Sequence, residues 1–236
     1  MKRINKRTSV ITNVALAVAV VIVAVISFIP TKIAPISSGS ALSAIYKGNV
    51  EKKNVSVMFN VYENTEVVNG IIDVLNEKGV KGTFFVGGCW ADDNGETLVR
   101  IVNSGHEIGN HGYFHKDHKK LNYDGNYQEI SLTLKIVKAL CGVKPSLFAP
   151  PSGSYSEQTL KASYDLGSKV IMWSKDTIDW RDNDLSVIKK RATQNVTNGD
   201  LILMHPKIHT LKVLPEIIDY YKESGYSVVT VSENIT

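Results

Sequence analysis

From residue 55 to the C-terminus the chain repeats one unit: a short β-branched or aromatic run, a polar loop, then a stretch with helical spacing. That alternation leaves few architectures open, because strands joined through helical crossovers run parallel and need helices over their apolar faces. Residues 55–61 read as the first strand and 66–78 as a helix with Val67, Ile71, Ile72 and Leu75 on one face, stopped at Gly79. The same spacing predicts strands at 82–86, 106–109, 146–149, 169–173, 200–204 and 226–231. Helices are predicted over 96–103, 127–140, 156–166, 184–194 and 211–223. An open, doubly wound sheet would satisfy this alternation, but it gathers its polar residues at one switch point. Here polar candidates follow strands one, three, four, five and six, and loops after that many strands converge only in a barrel. A distorted (β/α) barrel of seven to eight parallel strands is therefore expected.

Ahead of that domain, Lys2, Arg3, Lys6 and Arg7 precede a run from 10 to 29 that is apolar except for Thr12, Asn13 and Ser27. About 20 such residues can span a bilayer, and the flanking positive charge would hold the N-terminus in the cytoplasm. The expected organisation is a basic stub with a transmembrane or signal-anchor helix over 1–30, a linker over 31–54 and the folded domain over 55–236. A cleaved secretory signal, processed among the small residues around Ser38 to Ala44, is the alternative. Either reading puts the domain outside the cytoplasm and makes the membrane a partner through the N-terminal segment.

The formal net charge is +4, and the four basic residues at the N-terminus account for it. The rest of the chain lacks the concentrated basic face that nucleic acid requires, so no nucleic-acid partner is expected. Lys116, Lys119 and Lys120 read as a solvated loop. Cys89 and Cys141 stand outside metal-ligand spacing, and either a disulfide or two separate thiols suits an exported chain.

Chemistry concentrates in the loops. His111 and His115 sit four apart after an apolar run, a spacing that can present two imidazoles to one divalent cation. Pro150 and Gly153, Asp176, Asp179 with Trp180, and His205 each follow runs of their own. Lys81-Gly-Thr-Phe-Phe-Val86, Gly105-His-Glu-Ile-Gly-Asn-His111 and Asp176-Thr-Ile-Asp-Trp180, in that order, resemble the polysaccharide deacetylases of carbohydrate esterase family four. The resemblance runs from about Val55 to the end and implies a distorted barrel that removes acetyl groups from chitin-like or peptidoglycan chains at a divalent metal. It implies His111 and His115 as metal ligands, His205 as general acid and Asp176 as the carboxylate orienting it. Asp179 and Trp180 would line the groove and Pro150 and Gly153 would shape its wall; Asn60 is counted with them as a substrate-binding residue whose amide oxygen is at most a weak metal ligand.

The departures from that pattern are equally specific. Two adjacent aspartates follow the family's first strand, one the general base and the next a metal ligand; here Asn60 and Val61 stand in their places. An arginine that pairs with the base is replaced by Ala149. Glu63 and Glu66, after the first strand, are the carboxylates that could compensate, although their position also suits an ordinary helix start. His106 is expected to hydrogen-bond at a helix end, and His118 and His209 to be exposed. The expected function is a metal-dependent hydrolase, using zinc, cobalt or manganese, that removes N-acetyl groups from an extracytoplasmic polysaccharide. The alternative is a degenerate relative that keeps the groove and binds glycan without hydrolysing it.

Overall fold

The structure, a computed structural model, describes residues 42–236. The expected membrane segment and residues 31–41 of the expected linker lie outside them, and no helix among the described residues is long and apolar enough to cross a membrane. Eight parallel strands alternate with helices. In chain order they are β1 (Asn54–Val61), α1 (Thr65–Glu77), β2 (Thr83–Val86), α2 (Gly88–Asp93), α3 (Gly95–Asn103), β3 (Glu107–Asn110), α4 (Tyr123–Cys141) and β4 (Leu147–Phe148). There follow α5 (Glu157–Asp165), β5 (Lys169–Val170), β6 (Lys175–Asp176), α6 (Leu185–Thr193), β7 (Asp200–Met204), α7 (Ile208–Glu223), β8 (Ser227–Val228) and α8 (Val231–Asn234).

The strands lie in the order β5-β4-β3-β2-β1-β7-β6, with β8 paired to the start of β1. β5 and β6 are thus opposite edges of the sheet, yet only residues 171–174 separate them in the chain. Five Cα steps reach at most about 18 Å. The sheet must curl until its edges approach, which gives the distorted, incompletely closed barrel. The expected strand over 169–173 is therefore cut short at β5, because the chain leaves the sheet there to cross the gap, and the short strand β6 on the opposite edge was not expected.

Alternation along the strands separates two interiors. Val55, Val57, Phe59 and Val61 of β1 point outward into the main core with Ile71, Ile72, Leu75, Ile202, Met204, Ile217 and Ile218. Met58, Phe85, Ala149, Ile171, Leu201 and Leu203 point inward and fill the barrel. Gly109 is required at its position: a Cβ there would lie 2.3 Å from the Phe85 ring that plugs the barrel. The 19-residue α4 begins at Tyr123, earlier than its apolar spacing suggests, because the Asn122 side chain caps it through Gly125 N.

The domain also begins before residue 55. Ile45 bridges Ile171, donating its N–H to Val170 O and accepting Met172 N, while Gly48 and Asn49 donate to Gly199 O and Asn234 O. The described end of the expected linker is thus part of the compact unit that runs from Leu42 to Thr236. Cys89 and Cys141 are free thiols.

Candidate active site

Inward alternation continues past the strand ends and builds one pocket of about 530 Å³ at the C-terminal mouth of the barrel. β1 contributes Asn60 and then Tyr62, two residues on from Met58 and each other; β3 hands on His111 and His115. β6 ends in Asp176, and β7 delivers Leu203 and His205, followed by Pro206 and Lys207. Ser152, Trp173 and Trp180 complete the wall.

His111 is buried, and its Nδ1 lies 2.7 Å from the carbonyl oxygen of Ala149. A carbonyl only accepts, so Nδ1 carries the proton and Nε2 is left as an acceptor. Burial, followed by the neighbouring His115, holds the His111 pKa down to about 3, and burial lowers that of His115 as well. The two rings are 5.1 Å apart, and Tyr62 packs 4.9 Å from the His115 ring. His115 adopts a left-handed conformation (φ 54°), in a loop held by buried Glu129, which accepts Tyr113 N at 2.9 Å and Phe114 N at 2.7 Å.

Across the pocket, His205 Nδ1 donates to Asp179 Oδ1 at 2.8 Å, and its backbone N–H reaches Asp179 Oδ2 at 2.7 Å. Thr210 Oγ1 also donates to that oxygen, at 2.6 Å, and His209 Nε2 donates to the Asp179 carbonyl at 2.7 Å. Asp179 is 1% exposed. The carboxylate that orients His205 is therefore Asp179, not Asp176, and it lies behind the wall rather than lining it. Asp176 instead lines the pocket and uses Oδ1 to accept Ile178 N at 2.8 Å. The exchange follows from Ile178, whose positive φ of 55° turns the chain between the two carboxylates.

Asn60 is 6% exposed, and its Oδ1 has no hydrogen-bond partner. Val61 is fully buried on the opposite side of β1, among the helices. Glu63 lines the pocket but is ion-paired with Lys207, and Glu66 is exposed on α1 away from the lining residues. Pro150 and Gly153 stand behind the wall: Gly153 (φ 65°) leaves room for Trp173, whose ring would meet a Cβ there at 2.7 Å. Trp180 is 53% exposed at the rim.

Other histidines depart from their expected roles. His118 is buried rather than exposed, with Nδ1 donating to Asn126 Oδ1 at 2.7 Å. His209, half-buried, supports Asp179. His106 is buried beneath the barrel, near Gly82 N. Alternation from Asn60 could have located Tyr62; Trp173, Lys207 and Thr210 carried no signal of comparable strength.

The donor set for a divalent metal is His111 Nε2, His115 and the amide oxygen of Asn60. Among the described residues no group of three or more His, Cys, Asp or Glu side chains converges to hold an ion. Two imidazoles and an amide fall short of the roughly three strong ligands of hydrolytic zinc sites. Neither Glu63 nor Glu66 supplies the missing carboxylate.

A curled parallel sheet with imidazoles from β3 and β7 facing one pocket defines a carbohydrate-esterase architecture, and this chain belongs to the polysaccharide deacetylase family, whose sequence pattern matches residues 47–171. Among individual proteins, it is 37% identical over 189 residues to Uncharacterized protein YlxY of Bacillus subtilis, covering 80% of this chain and 59% of that one. It is 32% identical to the peptidoglycan-N-acetylglucosamine deacetylase of Bacillus cereus, covering 79% of this chain and 70% of that protein. The crystal structure of wild-type BA3943, a CE4 family pseudoenzyme from Bacillus anthracis, superposes with a TM-score of 0.80 at 34% identity, over 82% of this chain and 69% of that one.

Proposed function

We propose that this chain is a cell-wall glycan-binding protein that keeps the deacetylase groove and lacks its hydrolytic step. Asn60 carries this reading. Hydrolysing an acetamide needs a base to take a proton from the attacking water and an acid for the departing nitrogen. An amide oxygen is no base near neutral pH, and Asn60 occupies the base position with its Oδ1 free of any partner that could change that. Val61, turned toward the helices, offers no ligand atom. Trp173, Trp180 and Tyr62 still give the pocket apolar faces with polar edges, which suits a sugar ring. The glycan is inferred from the Bacillus cereus relative, whose name gives peptidoglycan, and from the N-terminal basic and apolar segments, which favour the outer side of a membrane.

The test is acetate release by the full chain from N-acetylglucosamine tetramer and from peptidoglycan, with zinc, cobalt or manganese added, beside co-sedimentation with purified peptidoglycan. No release with sedimentation is expected. Release above the rate without protein would overturn the reading.

A working deacetylase is the second reading, favoured by the complete Asp179–His205 pair and its Thr210 bond. In that case His205 would give a proton to the leaving amine, Asp179 would hold the imidazole toward the substrate, and His111 and His115 would hold the metal. His205→Ala would then abolish release and leave metal content unchanged.

A further inference from the structure

Resting on the glycan-binding reading above, we infer that His111 accepts a hydrogen bond from the sugar through Nε2, so that the pocket binds an uncharged glycan without a metal. A divalent metal then competes with the glycan for that nitrogen. The His111 tautomer is fixed from behind: Nδ1 lies 2.7 Å from the Ala149 carbonyl oxygen, which only accepts, so the proton sits on Nδ1 and Nε2 keeps a lone pair. Among the described residues nothing donates to that lone pair, yet Nε2 is not one of the polar atoms sealed from solvent, as the Asn60 oxygen is. It opens on the pocket that His111 lines. His205, when neutral, repeats the arrangement from the β7 side, with Nδ1 donating to Asp179 and Nε2 left open as a second acceptor.

Such a nitrogen suits either a cation or a hydrogen-bond donor, and charge decides between them. A dication asks for a third strong ligand and for negative charge close by. Neither is free here. The Asn60 oxygen is sealed off, and Val61 faces the helices. Glu63 is paired with Lys207. Asp176 is acted on electrostatically by Arg181, which shares the single carboxylate of Asp182 with Arg191. An O–H or N–H of a neutral sugar asks only for a lone pair, which Nε2 supplies. Tyr62, Trp173 and Trp180 give the ring that carries the donor apolar faces to lie on.

His115 is what turns a metal into a competitor. Its ring lies 5.1 Å from that of His111, and no third His, Cys, Asp or Glu among the described residues joins the two, so the pair holds zinc weakly. Zinc on the pair would use the His111 lone pair, and one lone pair cannot bind a metal and accept from a sugar at the same time. In a working deacetylase the metal would instead polarise the bound acetamide, and zinc would change sugar binding in the opposite direction.

The experiment is calorimetric titration of the full chain with N-acetylglucosamine tetramer, first in EDTA and then in zinc. Binding is expected in EDTA, and zinc at about ten times the Kd measured for zinc alone should weaken it about tenfold by mass action. In His115→Ala, where one imidazole remains, the zinc effect should disappear. His111→Phe keeps a ring and removes both nitrogens, and it should lower the affinity in EDTA at least about tenfold, with a melting curve to show that it folds. Where zinc alone gives no Kd, or the variant does not fold, the other arm decides. Cellotetraose has hydroxyls and no acetamide: comparable binding assigns the donor to a hydroxyl, loss assigns it to the acetamide N–H, and either agrees with the inference. Binding that needs zinc, tightens with it or ignores it overturns the inference and leaves glycan binding standing. So does a zinc effect that persists in His115→Ala, or an unchanged affinity in folded His111→Phe. Binding of the tetramer in neither EDTA nor zinc overturns the inference together with the reading it rests on.

Discussion

The two walls of the pocket differ in how far their polar atoms are committed. On the β7 side, both oxygens of Asp179 are engaged by His205 and Thr210, and its carbonyl by His209. On the β1 side, the Asn60 side-chain oxygen is buried without a partner, next to a valine that faces the other way. A buried polar atom left unpaired costs on the order of 1–3 kcal/mol. The β7 wall therefore contributes to the fold regardless of any ligand, whereas the β1 wall carries an unpaired buried oxygen at a cost to the fold. A chain can lose the chemistry of the second without loosening the first.

Substitution at Val61 should break the comparison most severely. Val61→Asp would bury an unpaired carboxylate in the helix-side core, and a loss of about 4 kcal/mol or more is expected by denaturant unfolding. A small loss would mean that the β1 end can turn its side chain into the pocket. Next, Asp179→Ala strips the partners from His205 and Thr210, and about 3 kcal/mol should disappear from the unfolding free energy. Asn60→Ala, on the other wall, should cost less than about 1 kcal/mol, because no hydrogen bond to its oxygen is lost; equal costs at Asn60 and Asp179 would erase the contrast between the walls.

Acid probes the histidines of both the pocket and the barrel. Burial lowers His106 to about 4 and His111 to about 3 from an ordinary 6.5, with His115 and His118 lowered as well. These groups stay neutral in the fold while the unfolded chain takes up protons below about 6.5. Stability is then fully present above that pH and falls as pH drops from 6.5 toward 4. A melting temperature lower at pH 5 than at pH 7 is expected, and an unchanged one would show that other groups offset these.

Much of the fold was legible because three strands, β1, β2 and β7, have runs of apolar residues, with helices of clear apolar face around them. α2 escaped because six residues, Gly88–Asp93, are too few to show a period. β6 escaped because Lys175–Asp176 is short and polar, its place fixed by pairing to β7 rather than by its own composition. The residues that form the site were legible as residue types in loops, and the exchanged roles of Asp176 and Asp179 were not. A spacing of three says which face a side chain takes only where the backbone is regular, and here it passes through a left-handed Ile178. The burial of His118 was hidden likewise, since it depends on Asn126, a residue of the first turns of α4.

One consequence concerns force. The segment from Ile45 to Asn49 is sewn to three separate places, the β5 edge, the turn before β7 and the C-terminal helix α8, by hydrogen bonds from Ile45, Gly48 and Asn49. Tension arriving through the chain ahead of Leu42 would load these bonds in turn before it reached β1. The first of them end at Met172, one residue before the pocket's Trp173, so such a load would reach that wall of the pocket before it reached β1.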